Sequence, residues 1–278
     1  MAQGEAARAV SAYFKAQKKN PTNLVLGWKI AQIQQKRGMI DEAILRYEHL
    51  LEQNPDLHHV RLALVELQVE KGIWSRASNN VEILDDVLPG EVKVYKLQAM
   101  IAQHNSDPIL ALSLWRVAAQ MDPSDPRIHH AIGSIYMERE DYELAAEALE
   151  RATKTDPLYN EANFELGLAL IQLNRIDDAE RAYRRYIDTH QRDEQAYYRL
   201  GNALFSKKYL SRAIRQYERA ISIKPDYAEA HFNLGMALYE IRQISRARMA
   251  FQQALKWTNQ EEYREHARRM LRELDNGR

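Results

Sequence analysis

The sequence repeats its chemistry every 34 residues, and this period constrains the fold more than any other feature. Steps of 34 from Ala213 in either direction always meet an alanine, at positions 9, 43, 77, 111, 145, 179 and 247. The same steps from Pro225 meet prolines at 21, 55, 89, 123 and 157. A fixed period of this length indicates an array of repeats, each of which is stabilised by its neighbours.

Each repeat is predicted to form two helices. In the repeat 194–227, the spacing i, i+3, i+4, i+7 of one helical face is shared by Tyr197, Leu200, Gly201 and Leu204. A second face begins at Ala213, after a break at 207–209. Gly201 and Ala213 are small enough to let the two helices approach closely, and Tyr217 is expected to fill the volume that they leave.

The chain divides into seven full repeats with a partial segment at each end. The repeats are 24–57, 58–91, 92–125, 126–159, 160–193, 194–227 and 228–261. Residues 1–23 match only the second half of a repeat and are predicted to be the second helix of a truncated repeat. Either a longer protein has been cut there, or this helix is a cap or a docking element. Residues 262–278 carry one apolar stripe and are predicted to form a C-terminal capping helix.

The proline of each repeat follows the second helix, which it cannot continue. We expect it to start the next helix in its first turn. Asp156, directly before Pro157, is predicted to act as a helix cap.

The period, the Leu-Gly pairs at 166–167, 200–201 and 234–235, the recurring alanine, the bulky residue four positions on and the terminal proline together resemble the tetratricopeptide repeat. The resemblance covers residues 9–261. It implies an all-α, right-handed superhelical solenoid of antiparallel helix pairs, with a concave groove that binds peptides or partner proteins.

The first three repeats depart most from the family pattern. Gly27 and Arg61 stand where the family prefers a bulky residue, Gln34 and Gln68 occupy a usually apolar inner position, and Gln98 replaces a leucine. Because the stability of such arrays is roughly a sum over repeats and interfaces, the N-terminal repeats are predicted to fray first.

The candidate binding residues are those that helical geometry turns away from the inner face of each first helix. The resemblance places them on the wall of the groove. In the early repeats they are Trp28, Lys93, Lys96, Arg127 and His130, which would favour an acidic segment with an apolar anchor. Trp28 could equally fill space between the first helices. In the late repeats they are Phe164, Tyr198, Arg199, Asn202, Phe232, Asn233 and Tyr239.

Asn202 and Asn233 are the sharpest candidates. An amide side chain is both donor and acceptor, so a ladder of asparagines can hold an extended peptide backbone. Alanine at both positions would then weaken a partner without changing the melting temperature. The alternative is that both residues simply follow the family consensus. The carboxylate clamp of the family is only partly matched, because Tyr198 stands where a basic residue is expected.

The composition argues against several other kinds of site. The chain has no cysteine, which excludes disulfides and thiolate chemistry. Its nine histidines include no HExxH motif and no i, i+4 pair, and no catalytic motif occurs, so neither a metal nor a cofactor is predicted. No apolar run approaches the roughly 20 residues needed to span a bilayer.

The charge is balanced, with 39 basic and 39 acidic residues, so no nucleic-acid partner is expected. Six arginines line the outer face of two second helices: Arg181, Arg184, Arg185, Arg212, Arg215 and Arg219. They are interpreted as a solvated face, with contact to an acidic partner or to nucleic acid as the alternatives.

The sequence therefore predicts a non-catalytic scaffold that binds a partner protein or an extended peptide in the groove. One alternative is a recruiting or regulatory region of a larger enzyme or secretion machine. Another is a self-assembling homo-oligomer, in which the uncovered N-terminal helix docks into a second copy. The compartment is not determined: the cytoplasm is favoured, and the periplasm stays open for a chain whose native N-terminus is missing.

Overall fold

The computed structural model describes residues 12, 13, 15, 16, 19, 20 and 23–276, and over these residues the chain is all-α. The predicted helix at 1–23 therefore lies largely outside the described residues. From residue 23 onward, fifteen helices follow one another with no strand between them. They belong to two compact units, Met1–Pro123 and Ser124–Arg278, called unit 1 and unit 2 below.

Unit 1 contains three helix pairs, in which each helix contacts the next. The helices are α1 Leu24–Lys36, α2 Ile40–Gln53, α3 His58–Glu70, α4 Trp74–Val87, α5 Val92–His104 and α6 Pro108–Met121.

Unit 2 contains four helix pairs and a final helix that contacts α13 and α14. The helices are α7 Pro126–Glu138, α8 Tyr142–Thr155, α9 Asn160–Gln172, α10 Ile176–Thr189, α11 Glu194–Ser206, α12 Leu210–Ile223, α13 Ala228–Glu240, α14 Ile244–Trp257 and α15 Glu261–Asn276.

A three-residue loop joins the two helices of every repeat, and its middle residue has a positive φ. The left-handed conformation favours glycine, because a Cβ crowds the neighbouring carbonyl. Only the first two repeats have glycine there, and the later five use other residues. The middle residues are Gly38, Gly72, Ser106, Glu140, Asn174, Lys208 and Arg242.

The glycines of the first helices allow the paired helix to approach. A Cβ added to Gly201 would lie 2.6 Å from Cε1 of Tyr217, and one added to Gly167 would lie 2.5 Å from Cε2 of Tyr183. Both tyrosine rings are fully buried. The prediction that the aromatic ring fills the volume left by the small residues is confirmed.

The first helices are also buried on a side that the sequence pattern did not identify. Ala230 of α13 is fully buried and packs in one cluster with Ala220 of α12 and Tyr197 of α11. The first helix α13 therefore contacts both its own second helix, α14, and the second helix of the preceding repeat, α12.

The predicted role of the recurring prolines in starting helices is wrong. Pro157 lies in the turn, three residues before α9 begins. The prolines that do occupy the first turn of a helix are Pro108 and Pro126, which fall outside the 34-residue register. Asp156 follows the end of α8, and its Oδ1 accepts a hydrogen bond from the N–H of Leu158 at 3.0 Å. It therefore stabilises the turn instead of capping the start of a helix.

The fourth residue of several first helices has a function that the sequence did not reveal. Its side chain donates a hydrogen bond to the carbonyl oxygen of the proline in the preceding turn. The pairs are Arg61 with Pro55 at 3.0 Å, Asn163 with Pro157 at 3.0 Å and His231 with Pro225 at 2.9 Å. A polar residue at this inner position thus satisfies a turn carbonyl.

Unit 1 holds a buried polar network. Nη1 of Arg61 donates to Oδ1 of Asn80 at 2.8 Å, and Nδ2 of Asn80 donates to Oε1 of Gln68 at 3.2 Å. Nε of Arg61 and Nε2 of Gln68 are buried without a partner among the described residues. Unsatisfied buried groups reduce stability, but unit 2 also contains them, at Asn163, Glu180 and Tyr183. The earlier fraying of the N-terminal repeats therefore stays a prediction.

Candidate functional site

The first helices of unit 2 line one side of the stack, because α7, α9, α11 and α13 each contact the next in turn. We call this surface the first-helix face. The predicted binding residues on it are His130, Phe164, Tyr198, Arg199, Asn202, Phe232, Asn233 and Tyr239. It also carries the polar side chains of Ser134 and Glu165.

The structure brings the two candidate asparagines together. Nδ2 of Asn233 donates to Oδ1 of Asn202 at 2.8 Å and to the hydroxyl oxygen of Tyr198 at 3.2 Å. Oδ1 of Asn202 also accepts from the buried hydroxyl of Tyr217 at 2.9 Å. The amide nitrogen of Asn202 and the carbonyl oxygen of Asn233 have no partner among the residues that the structure describes. The pair thus keeps one free donor and one free acceptor.

Three aromatic rings on this face are partly buried against their own and neighbouring repeats. Phe164 lies edge-on to Tyr183, with 5.4 Å between ring centroids. The centroid of Tyr198 lies 4.9 Å from that of Tyr227. Phe232 lies 5.7 Å from Tyr263 of the final helix. These rings therefore stabilise the stack in addition to any contact with a partner.

Two tyrosines that pack against Tyr198 have a raised pKa. Burial, with a smaller contribution from Tyr198, raises the pKa of Tyr217 above its ordinary value of 10.0. Burial also raises the pKa of Tyr227 to about 12. Both hydroxyls therefore stay protonated at neutral pH, and Tyr217 keeps the proton that it donates to Asn202.

A second polar cluster surrounds His130, which the sequence identified only as a single candidate. The hydroxyl of Tyr159 lies 3.3 Å from Nδ1 of His130, and Oε2 of Glu165 lies 3.4 Å from Nε2. Ser134 donates to the same Glu165 oxygen at 2.6 Å. The cluster links α7 with α9, and it was missed because the contacts between the two repeats join residues that are 29 to 35 positions apart in sequence.

The remaining candidates in unit 2 are Arg127, whose side chain forms an ion pair within the chain, and Arg199 and Tyr239, which differ in exposure. Nε and Nη2 of Arg127 each donate to a carboxylate oxygen of Asp125 at 2.9 Å. Oδ1 of Asp125 also accepts from the backbone N–H of Arg127 at the start of α7. Arg199 is exposed, and Tyr239 is partly buried on α13.

In unit 1, Trp28 has a packing role, one of the two roles that the sequence left open. Its ring centroid lies 5.3 Å from Tyr47 and 4.9 Å from His59, and it packs against the buried core. Lys93 is exposed and pairs with Glu66 at 3.1 Å, and Lys96 is partly buried. A ligand contact by any of these residues stays a prediction.

Other kinds of site receive no support from the part of the chain that the structure describes. No three His, Asp or Glu side chains there converge as a metal site requires. None of the helices in that part combines the length and apolar character of a membrane-spanning helix.

Comparison with known proteins agrees with the architecture. Family models described as tetratricopeptide repeat match residues 26–56, 130–194 and 228–261, and one described as TPR repeat matches 201–241. Together they cover more than half of the chain. A search of curated proteins finds no match.

Solved structures share the fold. MamA is 26% identical with a TM-score of 0.55, over 59% of this chain and 90% of its own. YrrB, described as a TPR protein with an unusual peptide-binding site, is 19% identical with a TM-score of 0.58, over 68% of this chain and 97% of its own. A tetratricopeptide repeat protein from Parabacteroides merdae is 14% identical with a TM-score of 0.59, over 88% of this chain and 97% of its own. The chain is thus an all-α helical repeat solenoid and belongs to the tetratricopeptide repeat family.

Proposed function

We propose that this chain is a non-catalytic scaffold that binds an extended segment of a partner protein on the first-helix face of unit 2. The coarser part of this statement follows from the family, whose fold serves as a protein-interaction scaffold. YrrB, which shares the fold, is described as having a peptide-binding site.

The observation that carries the proposal is the pair Asn202 and Asn233. An extended backbone offers C=O and N–H groups in alternation. The free amide nitrogen of Asn202 can donate to such a carbonyl, and the free carbonyl oxygen of Asn233 can accept from such an N–H. Tyr198 and Phe232 supply apolar surface beside the pair, and the exposed Arg199 supplies a positive charge.

The simplest variant is not a clean test of this site. Asn202→Ala would remove the acceptor of the Tyr217 hydroxyl, which is fully buried. An unsatisfied buried hydroxyl costs about 1 to 3 kcal/mol. The expectation that alanine at both asparagines leaves the melting temperature unchanged therefore needs correction, because the same residues hold the repeat together.

Asn202→Asp separates the two functions. The aspartate keeps an oxygen acceptor for Tyr217 and Asn233. It replaces the free amide N–H donor of Asn202 with a second carboxylate oxygen, which repels a peptide carbonyl. Peptides selected from a random phage-displayed library on the wild-type chain serve as ligands for isothermal titration. We expect Asn202→Asp to weaken them by about tenfold or more, the equivalent of one hydrogen bond with added repulsion.

Gln252→Glu is the matched control, because it makes the same amide-to-acid change at an exposed position of α14. It should leave the affinity unchanged. If every selected peptide binds the Asn202→Asp variant as tightly as the wild type, the first-helix face is rejected as the binding surface. Equal losses in both variants would mean that added charge alone explains the effect.

A further inference from the structure

Two second helices of unit 2 border an open cavity of about 460 Å³. It lies between α8 and α10, with α9 and the turn before it contributing to the lining. We call it the second-helix cavity. Its apolar lining comes from the buried side chains of Leu166, Leu170 and Ala182 and from the exposed Pro157.

Charged side chains surround this lining, and the acidic ones are already paired. Arg175 contacts Glu150 at 3.3 Å and Asp178 at 2.9 Å, and Arg181 also pairs with Asp178. The hydrogen bond from Arg175 lowers the pKa of Asp178, so this pairing persists at neutral pH.

Two cationic side chains of the lining have no acidic partner among the described residues. Lys154 and Arg185 are exposed and form no ion pair with any residue that the structure describes. Arg184 of α10 and Arg219 of α12 are also exposed and form no ion pair with any described residue, although the Arg219 guanidinium lies over the Tyr197 ring, 6.0 Å from its centroid. The cavity therefore combines an aliphatic interior with uncompensated positive charge at its edge.

We propose that the second-helix cavity binds an acidic segment of a partner protein, which inserts one apolar side chain and places carboxylates on Lys154 and Arg185. Guanidinium groups pair well with carboxylates, and complementary charge speeds encounter and selects the partner. This surface is separate from the one proposed above, so the scaffold has two faces for two contacts.

The chemistry of the cavity favours an acidic peptide over a nucleic acid. Sites for single-stranded nucleic acid use aromatic side chains on which bases stack. The lining here is aliphatic, and Glu150 and Asp178 within it would repel a continuous phosphate backbone. Separate carboxylates on either side of one leucine can avoid both acids.

The test uses the full chain and three fluorescein-labelled synthetic probes in anisotropy titrations. The first is a peptide of alternating Glu and Leu, the second has Ser in place of Leu, and the third is a single-stranded oligonucleotide. We expect the Glu-Leu peptide to bind most tightly. Equal or tighter binding of the Glu-Ser peptide or the oligonucleotide would overturn the proposal, as would a lack of measurable binding by the Glu-Leu peptide.

The site itself is tested with charge reversals. Lys154→Glu with Arg185→Glu should weaken the Glu-Leu peptide by about tenfold or more, because two attractive contacts become repulsive. Arg215→Glu with Arg219→Glu makes the same net change on α12, outside the cavity lining, and should cost less than about threefold. Equal losses in the two variants would show diffuse electrostatics and overturn the proposal.

All substituted side chains in these variants are exposed. Circular dichroism spectra that match the wild type will show that both variants keep the fold. The Asn202→Asp variant should bind the Glu-Leu peptide as the wild type does, so failure of one proposed face is distinguishable from failure of the other.

Discussion

Replacing Gly201 with alanine is expected to disturb both the stability of the sixth repeat and the geometry of the asparagine pair. The new Cβ would lie 2.6 Å from Cε1 of Tyr217, closer than packed atoms allow, so the ring must move. The hydroxyl of that ring donates to Oδ1 of Asn202 at 2.9 Å, so displacing the ring breaks or bends this hydrogen bond.

Unit 1 shows where the ring would go. The first repeat has Ala31 at the position that corresponds to Gly201. The hydroxyl of its Tyr47 donates to Oε1 of Gln35 at 3.1 Å, whereas the hydroxyl of Tyr217 donates to Asn202, which lies one helical turn earlier in the repeat. Trp115, in the repeat that has Ala99 there, donates to the equivalent Gln103 at 2.8 Å. In the sixth repeat the corresponding residue is Phe205, which cannot accept a hydrogen bond.

The magnitude follows from three contributions. Overpacking of the buried ring costs about 1 to 3 kcal/mol, and a buried hydroxyl without an acceptor costs about 1 to 3 kcal/mol. Alanine offsets about 1 kcal/mol through its higher helix propensity. The net loss in the free energy of unfolding is therefore about 1 to 5 kcal/mol.

Repeat arrays need not unfold in one step, so hydrogen exchange of α11 and α12 is the primary assay and urea unfolding the second. Gly201→Ala combined with Phe205→Gln supplies the missing acceptor and should recover about 1 kcal/mol relative to Gly201→Ala alone. Phe205→Gln in the wild-type background is the control and should not stabilise. A Gly201→Ala variant as stable as the wild type would refute the reasoning, and failure of the second substitution to rescue would refute its hydrogen-bond part.

Three further predictions concern stability. Glu140→Gly should raise the free energy of unfolding by about 1 kcal/mol, because the residue has a positive φ. Gly72→Ala should lower it by about the same amount for the same reason. An unchanged urea midpoint in both variants contradicts this prediction. Asn163→Ala should cost about 1 to 3 kcal/mol by leaving the turn carbonyl of Pro157 without its donor, whereas Asn163→His, which copies His231, should restore part of the loss in thermal melts. Amides in residues 24–125 should exchange with deuterium before those in 126–261, and uniform protection would disprove the predicted fraying.

Much of the fold could be predicted because the pattern that specifies it is local. Leu200 and Leu204 fall on one helical face whatever the neighbouring repeats contain, and the break at 207–209 precedes the start of α12 at Leu210. The burial of Ala230 could not be predicted in this way, because it depends on contact with the preceding repeat. The expected role of the prolines failed for a related reason: the length of the turn decides whether proline precedes or enters the next helix.

The candidate site was predicted as a set of residues but not as an arrangement. Asn202 and Asn233 were predicted as a ladder without any contact between them, and the structure joins them with Tyr198 and Tyr217 into one network. Hydrogen-bond partners that are 31 or 35 residues apart depend on the distance between neighbouring helices. No periodicity encodes that distance directly.

The sequence by itself predicted an array of two-helix repeats and the helical face on which Leu200 and Leu204 are buried, because a 34-residue period with helical spacing admits few other structures. The tertiary structure decided which polar atoms are satisfied within the chain and which stay free for a partner. The physical reason is that the contact between Gly201 and Tyr217 sets how closely two helices pack, and this distance directs the tyrosine hydroxyl to Asn202. The free donor and acceptor of the asparagine pair are a consequence of that packing.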